Sequence, residues 1–255
     1  MKRLILIATL AFAALHASAQ QSDTLKLMTY NIRFGELASM EAIADYITSE
    51  QSDIVALQEC DWNTHRGNVP HQNGVEFINE LAYHTGMFGI YGKAINFSGG
   101  YYGIGLLSRY PILSYERVLL PNDGKTEQRV ALIADIELPS GEIITFVNTH
   151  LEVKSSELRV EQIRFINGYI KDRPGRIFLA GDMNASAESE EMQILNEDWQ
   201  LITDMGNTFP STGPRTKLDY IYVRKGGEVQ LLSTEARPEI LLSDHLPVVS
   251  TVVLR

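Results

Sequence analysis

The stretch Ile177-Phe178-Leu179-Ala180-Gly181-Asp182-Met183-Asn184 decides how this chain is read. Four consecutive apolar residues bounded by polar ones suit a strand buried on both faces. The strand runs out through Gly181 into Asp182 and Asn184, so strongly polar groups stand at the exit of a buried element. The same grammar recurs along the chain. Leu25–Tyr30, Ile54–Leu57, Ile104–Leu107, Val130–Ile136, Ile143–Val147, Tyr220–Val223 and Pro247–Leu254 are further apolar runs that predict strands. Helical spacing appears between some of them. Met40, Ile43, Ala44 and Ile47 share one helix face, Val75, Ile78, Leu81 and Ala82 another, and Ser155–Lys171 reads as a longer amphipathic helix carrying Ile163, Ile166 and Ile170 inward. Residues 87–149 show strands joined by turns at Tyr110-Pro111, Asn122-Asp123-Gly124 and Pro139-Ser140-Gly141, without a helix. This mixture of αβ units and antiparallel meanders suits an α/β architecture of two packed sheets with helices outside, not one doubly wound sheet.

Composition narrows the class. The chain has 255 residues, 44% apolar and 21% charged, as ordinary globular proteins do. Its net charge of −10 and pI of about 5.1 argue against gripping long nucleic acid, which is powered by Lys and Arg. One cysteine, Cys60, excludes an internal disulfide framework and any cysteine-based zinc cluster; it reads as a small buried residue. Residues 1–19 carry Lys2 and Arg3, an apolar run from Leu4 to Leu15, and Ala17-Ser18-Ala19. That pattern predicts a secretory signal peptide, with one domain over 20–255 and an exported, periplasmic or extracellular protein. Beyond it no apolar run reaches the roughly 20 residues of a membrane helix, so no stable membrane insertion is expected. No obligate protein partner is evident either.

The polar residues fall in a pattern. Asn31 follows LKLMTY, Glu59 follows IVALQ, His150 follows IITFVNT, and Asp182 and Asn184 follow IFLAG. Asp219 instead precedes YIYV, and Asp244-His245 precedes LPVVSTVV. If the second group of strands runs antiparallel to the first, all six ends meet at one rim of a rigid platform. Glu59, Asp182 and Asp244 are hard oxygen donors, and Asn31 and Asn184 offer amide oxygens. An oxygen-only set suits Mg²⁺ or Mn²⁺ better than Zn²⁺, and Mg²⁺ commonly shares its shell with phosphate oxygens. His150 and His245 titrate near neutrality, able to bind a phosphoryl oxygen or protonate a leaving group. Asp219 can accept the Nδ1–H of His245 and fix its tautomer. Each residue alone has a bland reading as a surface acid, turn residue or core histidine; together they make one metal–phosphate site.

At these residues the sequence resembles the endonuclease/exonuclease/phosphatase superfamily, the group with the deoxyribonuclease I-like fold. The matching segments are TYNIR (29–33), ALQE (56–59), YGIGLLSRYPI (102–112), VNTHL (147–151), LAGDMN (179–184), KLDYIYV (217–223) and SDHLPV (243–248). The resemblance implies a four-layer sandwich, two packed mixed β-sheets flanked by helices. It implies Glu59 as principal metal ligand, helped by Asn31 and Asp244. Asp182 positions or deprotonates the attacking water, and Asn184 holds phosphate or water. His245, oriented by Asp219, stabilises the transition state, and His150 binds a non-bridging oxygen or acts as leaving-group acid. One or two metals both remain open. The expected substrate is a phosphate ester: a small molecule, a lipid headgroup or a short nucleic acid. Arg33, Arg66, Arg129, Tyr101 and Tyr102 lie beside the motifs as candidate substrate contacts.

Three other readings compete. The first is an endonuclease or exonuclease. The second is a binding module that kept the fold and lost the chemistry, yet Glu59, Asp182, Asp244 and His245 are all present. The third is a metal-independent esterase built on Ser108 or Ser243, neither of which lies in a G-x-S-x-G elbow.

Overall fold

The computed structural model describes residues 23–255; the leader assigned to residues 1–19 lies outside the described residues. The elements run β1 (Thr24–Asn31), α1 (Met40–Glu50), β2 (Ile54–Trp62), α2 (Phe77–Thr85), β3 (Phe88–Phe97), β4 (Gly100–Ser108), β5 (Ile112–Leu119), β6 (Val130–Glu137) and β7 (Ile143–His150). Then follow α3 (Ser156–Ile170), β8 (Ile177–Asp182), α4 (Glu190–Asp198), β9 (Trp199–Leu201), β10 (Asp219–Arg224), β11 (Val229–Ala236) and β12 (Val248–Leu254). Each predicted apolar run lies in a strand, except that β12 begins at Val248, one residue after the predicted Pro247. The periodicity did not single out β3, β5 or β11, whose exposed and half-buried positions blur any apolar pattern, nor the short α4 and β9.

The strands form two six-stranded sheets, ordered β11-β12-β1-β2-β4-β3 and β5-β6-β7-β8-β10-β9. Side chains alternate across each strand, and the alternation builds the layers. Leu25 and Leu27 of β1 join Phe178 and Ala180 of β8 in the apolar core between the sheets. Met28 and Tyr30 of β1 point the other way, into a second core under α1 and α2. Ile177 and Leu179 of β8 do the same under α3 and α4. Helix, sheet, sheet, helix: these are the four layers, and they explain why the central strands are apolar on both faces.

Each sheet has a parallel pair at its centre, β1 with β2 and β7 with β8. Parallel neighbours need a crossover, and α1 and α3 supply them. Ser39 and Ser155 start those helices, accepting the backbone N–H of Ala42 and Leu158 respectively. The four parallel strands therefore deliver their C-terminal ends to one edge. β12 runs antiparallel to β1, with Val248 opposite Thr29, and β10 runs antiparallel to β8, with Asp219 opposite Asp182. Their N-terminal ends come to the same rim. Among the described residues no helix is long and apolar enough to cross a membrane.

Candidate active site

Two buried amides tie the sheets together below the rim. Gln58 Nε2 donates to Asn148 Oδ1 across the sandwich (2.8 Å), and Asn148 Nδ2 donates to the carbonyls of Leu57 and Gly105. Both side chains are wholly buried. Every polar atom so buried needs a partner, and satisfying them from opposite sheets fixes the spacing of the layers. The sequence carried a signal for both, since each interrupts an apolar run inside a quoted motif, although neither was assigned a role.

Glu59 is aimed by a bulge. β2 and β4 lose register between Leu57 and Cys60, and Glu59 has φ +58°. An extra residue in one strand bends it and redirects a side chain, here out of the pleat and toward the rim. Gly181 serves β8 differently. At φ +150° it lies so close to β7 that a Cβ would run into the Thr149 carbonyl, so only glycine lets Asp182 stand opposite His150.

Asp182 is the focus. Its Oδ2 accepts Asn31 Nδ2 at 3.0 Å and lies 3.5 Å from His150 Nε2 and 3.7 Å from His245 Nε2. Its Oδ1 accepts the Asn184 backbone N–H at 2.9 Å. Burial pushes the Asp182 carboxyl up to about 6, with His245 pulling against that rise. His245 in turn donates from Nδ1 to Asp219 Oδ2 over 2.9 Å. Burial opposes its charge, but Asp219 and Asp182 outweigh burial and raise the imidazolium to about 10. At neutral pH His245 is therefore a cation with Nε2–H turned toward Asp182.

His150 is held in the opposite state. Arg129 Nη1 lies 3.1 Å from His150 Nδ1. Arginine has no acceptor, so Nδ1 must present a lone pair and the proton sits on Nε2. Burial, then Arg129, then His245 push its pKa well below 6.5. The pair of imidazoles thus offers one charged and one neutral N–H donor to the same place.

Asn31, Glu59 and Asp244 form the outer part. Asn31 Nδ2 also reaches Glu59 Oε1 at 3.0 Å, while its Oδ1 accepts the Arg33 backbone N–H. As placed, Asn31 bridges two carboxylates with its nitrogen and keeps one oxygen lone pair for a cation. Asn184 is similarly committed: its Nδ2 donates to Leu151 O, leaving only an acceptor to meet water. Asp244 Oδ2 pairs with Arg33 Nη1 at 2.7 Å. The pairing of Arg33, a candidate substrate contact from sequence, with Asp244, 211 residues away, has no local signal.

The structure thus brings Asn31, Glu59, His150, Asp182, Asn184, Asp219 and His245 into one chain of contacts, with Asp244 joined through Arg33. Glu59 and Asp244 bring carboxylate oxygens to the rim, and the one free lone pair of Asn31 Oδ1 stands beside them. Such an oxygen-rich donor set is of the kind that holds a hard divalent cation. Asp182, Asp219 and His245 also lie close enough to one another to hold an ion. Their mutual 2.9 Å hydrogen bond makes them a better orienting pair, and the set around Glu59 fits a hard cation better. Ser108 and Ser243 are spent on local contacts. Ser108 Oγ bonds both backbone groups of Tyr110, and Ser243 Oγ sits 3.4 Å from Asp244.

Residues 28–245 match the Endonuclease/Exonuclease/phosphatase family. The chain belongs to that family. Its members are hydrolases of phosphoester bonds and generally depend on a divalent metal. YbhP of Escherichia coli (strain K12), described as uncharacterized, is 25% identical over 252 residues, covering 92% of this chain and 98% of its own. Two solved structures share the fold. One is a mannosyl-6-phosphatase of Bacteroides thetaiotaomicron VPI-5482, with TM-score 0.72, 16% identity, and 90% and 100% of the two chains covered. The other is the human Nocturnin catalytic domain with bound sulfate, with TM-score 0.70, 18% identity, and 92% and 98% covered. Both confirm for this member of the endonuclease/exonuclease/phosphatase family the sandwich described above.

Proposed function

We propose that this protein is an exported, Mg²⁺- or Mn²⁺-dependent phosphoesterase that hydrolyses a small phosphate ester by in-line attack of water. The observation that carries the reading is the placement of Asp182 Oδ2 between the two imidazole Nε2 atoms, one of them charged by Asp219. Asp182 holds the attacking water and receives its proton, a task matched to a carboxyl raised to about 6. His245 donates its Nε2–H to a phosphoryl oxygen as charge builds there, with Asp219 keeping the ring turned the right way. His150, locked neutral by Arg129, donates a second N–H to a non-bridging oxygen. Glu59 and Asp244, with the free lone pair of Asn31, would hold the cation, which supplies positive charge against the phosphoryl oxygens. Asn184 fixes Asp182 through its backbone.

A mannosyl-6-phosphatase of the same fold supports a small ester as substrate. The acidic chain supports it against a long duplex. The reading of residues 1–19 as a leader makes the protein periplasmic or extracellular. The test is turnover of an aryl phosphate and an aryl phosphodiester with Mg²⁺ or Mn²⁺. Hydrolysis abolished by EDTA and restored by metal supports the proposal; full activity in chelator refutes the metal. Nicking of plasmid at the same enzyme level, with small esters untouched, would replace it with a nuclease.

A further inference from the structure

Beside the reactive cluster lies a cleft of about 160 Å³ lined by Phe34, Arg66, Phe97, Tyr102 and Glu127. That volume is below the roughly 300–1,000 Å³ of an ordinary drug-sized pocket, so it suits one ring and not an extended polymer. It touches the active site from two sides. Phe34 follows Arg33, the partner of Asp244. On the far side Glu127 lies 3.2 Å from Arg129 Nη1, the atom that also meets His150. A group seated in the cleft is therefore within one residue's reach of the phosphate position.

The walls are rigid and their spare valences are specific. Arg66 is clamped by Asp61, with Nε and Nη2 on its two oxygens at 2.6 and 2.9 Å, and Asp61 is wholly buried. The guanidinium covers the face of Phe34 at 3.9 Å and of Phe97 at 4.4 Å. This leaves the N–H pair of Arg66 Nη1 without a partner among the described residues. Tyr102 Oη likewise makes no hydrogen bond among them, and Glu127 Oε1 is buried with none. Its contact with Arg129 is close but misaligned. The cleft thus presents two donors, one hydroxyl and one carboxylate acceptor beside an aromatic edge.

Three ligand chemistries compete, and the geometry separates them. A second phosphate meets an arginine already neutralised by Asp61 and a facing Glu127, so it is repelled. A nucleobase stacks on an aromatic face, and the Arg66 guanidinium already covers one face of Phe34 and one of Phe97. Neighbouring hydroxyls on an uncharged ring can each give a hydrogen to Glu127 and take one from Arg66, with Tyr102 serving either way. We propose that this cleft is a subsite for an uncharged polyhydroxylated ring, a sugar or a cyclitol, carried on the ester that the Asp182–His245 cluster cleaves.

The proposal rests on the phosphoesterase reading, so its test has a part that needs no turnover. Saturation-transfer NMR on the intact Mg²⁺-loaded protein is recorded with methyl α-glucopyranoside, myo-inositol and adenine in turn. Transfer to at least one polyol is expected, and it identifies sugar or cyclitol. The signal should fall at least fivefold in Phe97→Ala, an exposed position, and in Tyr102→Phe. Transfer to adenine alone, to no probe, or undiminished in either variant overturns the subsite whether or not any ester is hydrolysed. Where esters are turned over, kcat/KM for a hexose 6-phosphate or myo-inositol 1-phosphate is divided by that for p-nitrophenyl phosphate. Tyr102→Phe should lower that quotient at least tenfold for the preferred polyol. An unchanged quotient with both rates reduced together would make Tyr102 merely structural and the cleft irrelevant to substrate.

Discussion

Replacing Asp219 by Asn probes the dyad at the centre of the mechanism. The swap keeps size and burial but removes the charge that His245 Nδ1 faces at 2.9 Å. Burial alone would lower the imidazolium; the carboxylates reverse this and carry it from 6.5 to about 10. At about 1.4 kcal/mol per pH unit, that rise represents a net attraction of order 5 kcal/mol. Asp219 is the strongest of those carboxylates and is directly hydrogen-bonded, so its loss lets burial pull the imidazolium back down toward 6.5. The active form is the imidazolium, present below its pKa and lost as pH rises through it. The alkaline limb of kcat/KM should therefore move toward neutrality by about one pH unit or more in Asp219→Asn. At pH 6 the variant should retain more activity than His245→Ala, which loses a transition-state donor at a cost of about 10²–10³. The assay is a pH–rate profile on an aryl phosphate for wild type, both single variants and the double variant. The double variant should be no worse than His245→Ala, because Asp219 acts through the ring it orients. A profile of unchanged shape with only lower height, or losses that multiply in the double variant, would refute the orienting role.

Three further outcomes follow from other contacts. Glu59→Gln should raise the Mg²⁺ concentration for half-maximal activity by about 10–100-fold, read by metal titration of turnover; an unchanged titration removes Glu59 from the cation site. Arg129→Met removes the buried cation that lies beside both Glu127 and Glu152. With Glu127 a third exposed and Glu152 at 3.9 Å, the change should cost about 1–2 kcal/mol of stability and lower the melting temperature by roughly 3–6 °C; an unaltered melting curve would show that the cation compensates nothing. Lys217 is buried with an ammonium that makes no hydrogen bond, and burial lowers it to about 8. The unfolded chain binds that proton more tightly than the folded one, so its penalty, about 3 kcal/mol, is full below pH 8 and fades as pH rises toward 10.5. Lys217→Met should be more stable than wild type at pH 7, with the gap closing by pH 10.5 in urea titrations; a gap that stays constant would show that the ammonium is not the cause.

The strands and the rim were legible because their causes are local. Runs such as Ile177–Ala180 and Val130–Ile136 are apolar on both faces, which only a strand between two packed layers requires. Their polar terminators were legible for the same reason, since a carboxylate directly after such a run has nowhere to go but the edge. β3, β5 and β11 were not legible, because strands at or near a sheet edge bury too little to imprint a pattern. The bulge that turns Glu59 outward also left no trace, because it arises from the mismatch of β2 against β4.

What the residues fixed alone was therefore which groups stand at strand ends and what kind of ion and ester chemistry they can serve. What folding added was the direction in which each group points. Asn31 turns its nitrogen to Glu59 and to Asp182, a residue 151 positions away, and Arg129 settles on which nitrogen His150 carries its proton. Such choices belong to atoms from opposite sheets competing for the same few hydrogen bonds in a dry interior, and that competition begins only once the sheets have packed.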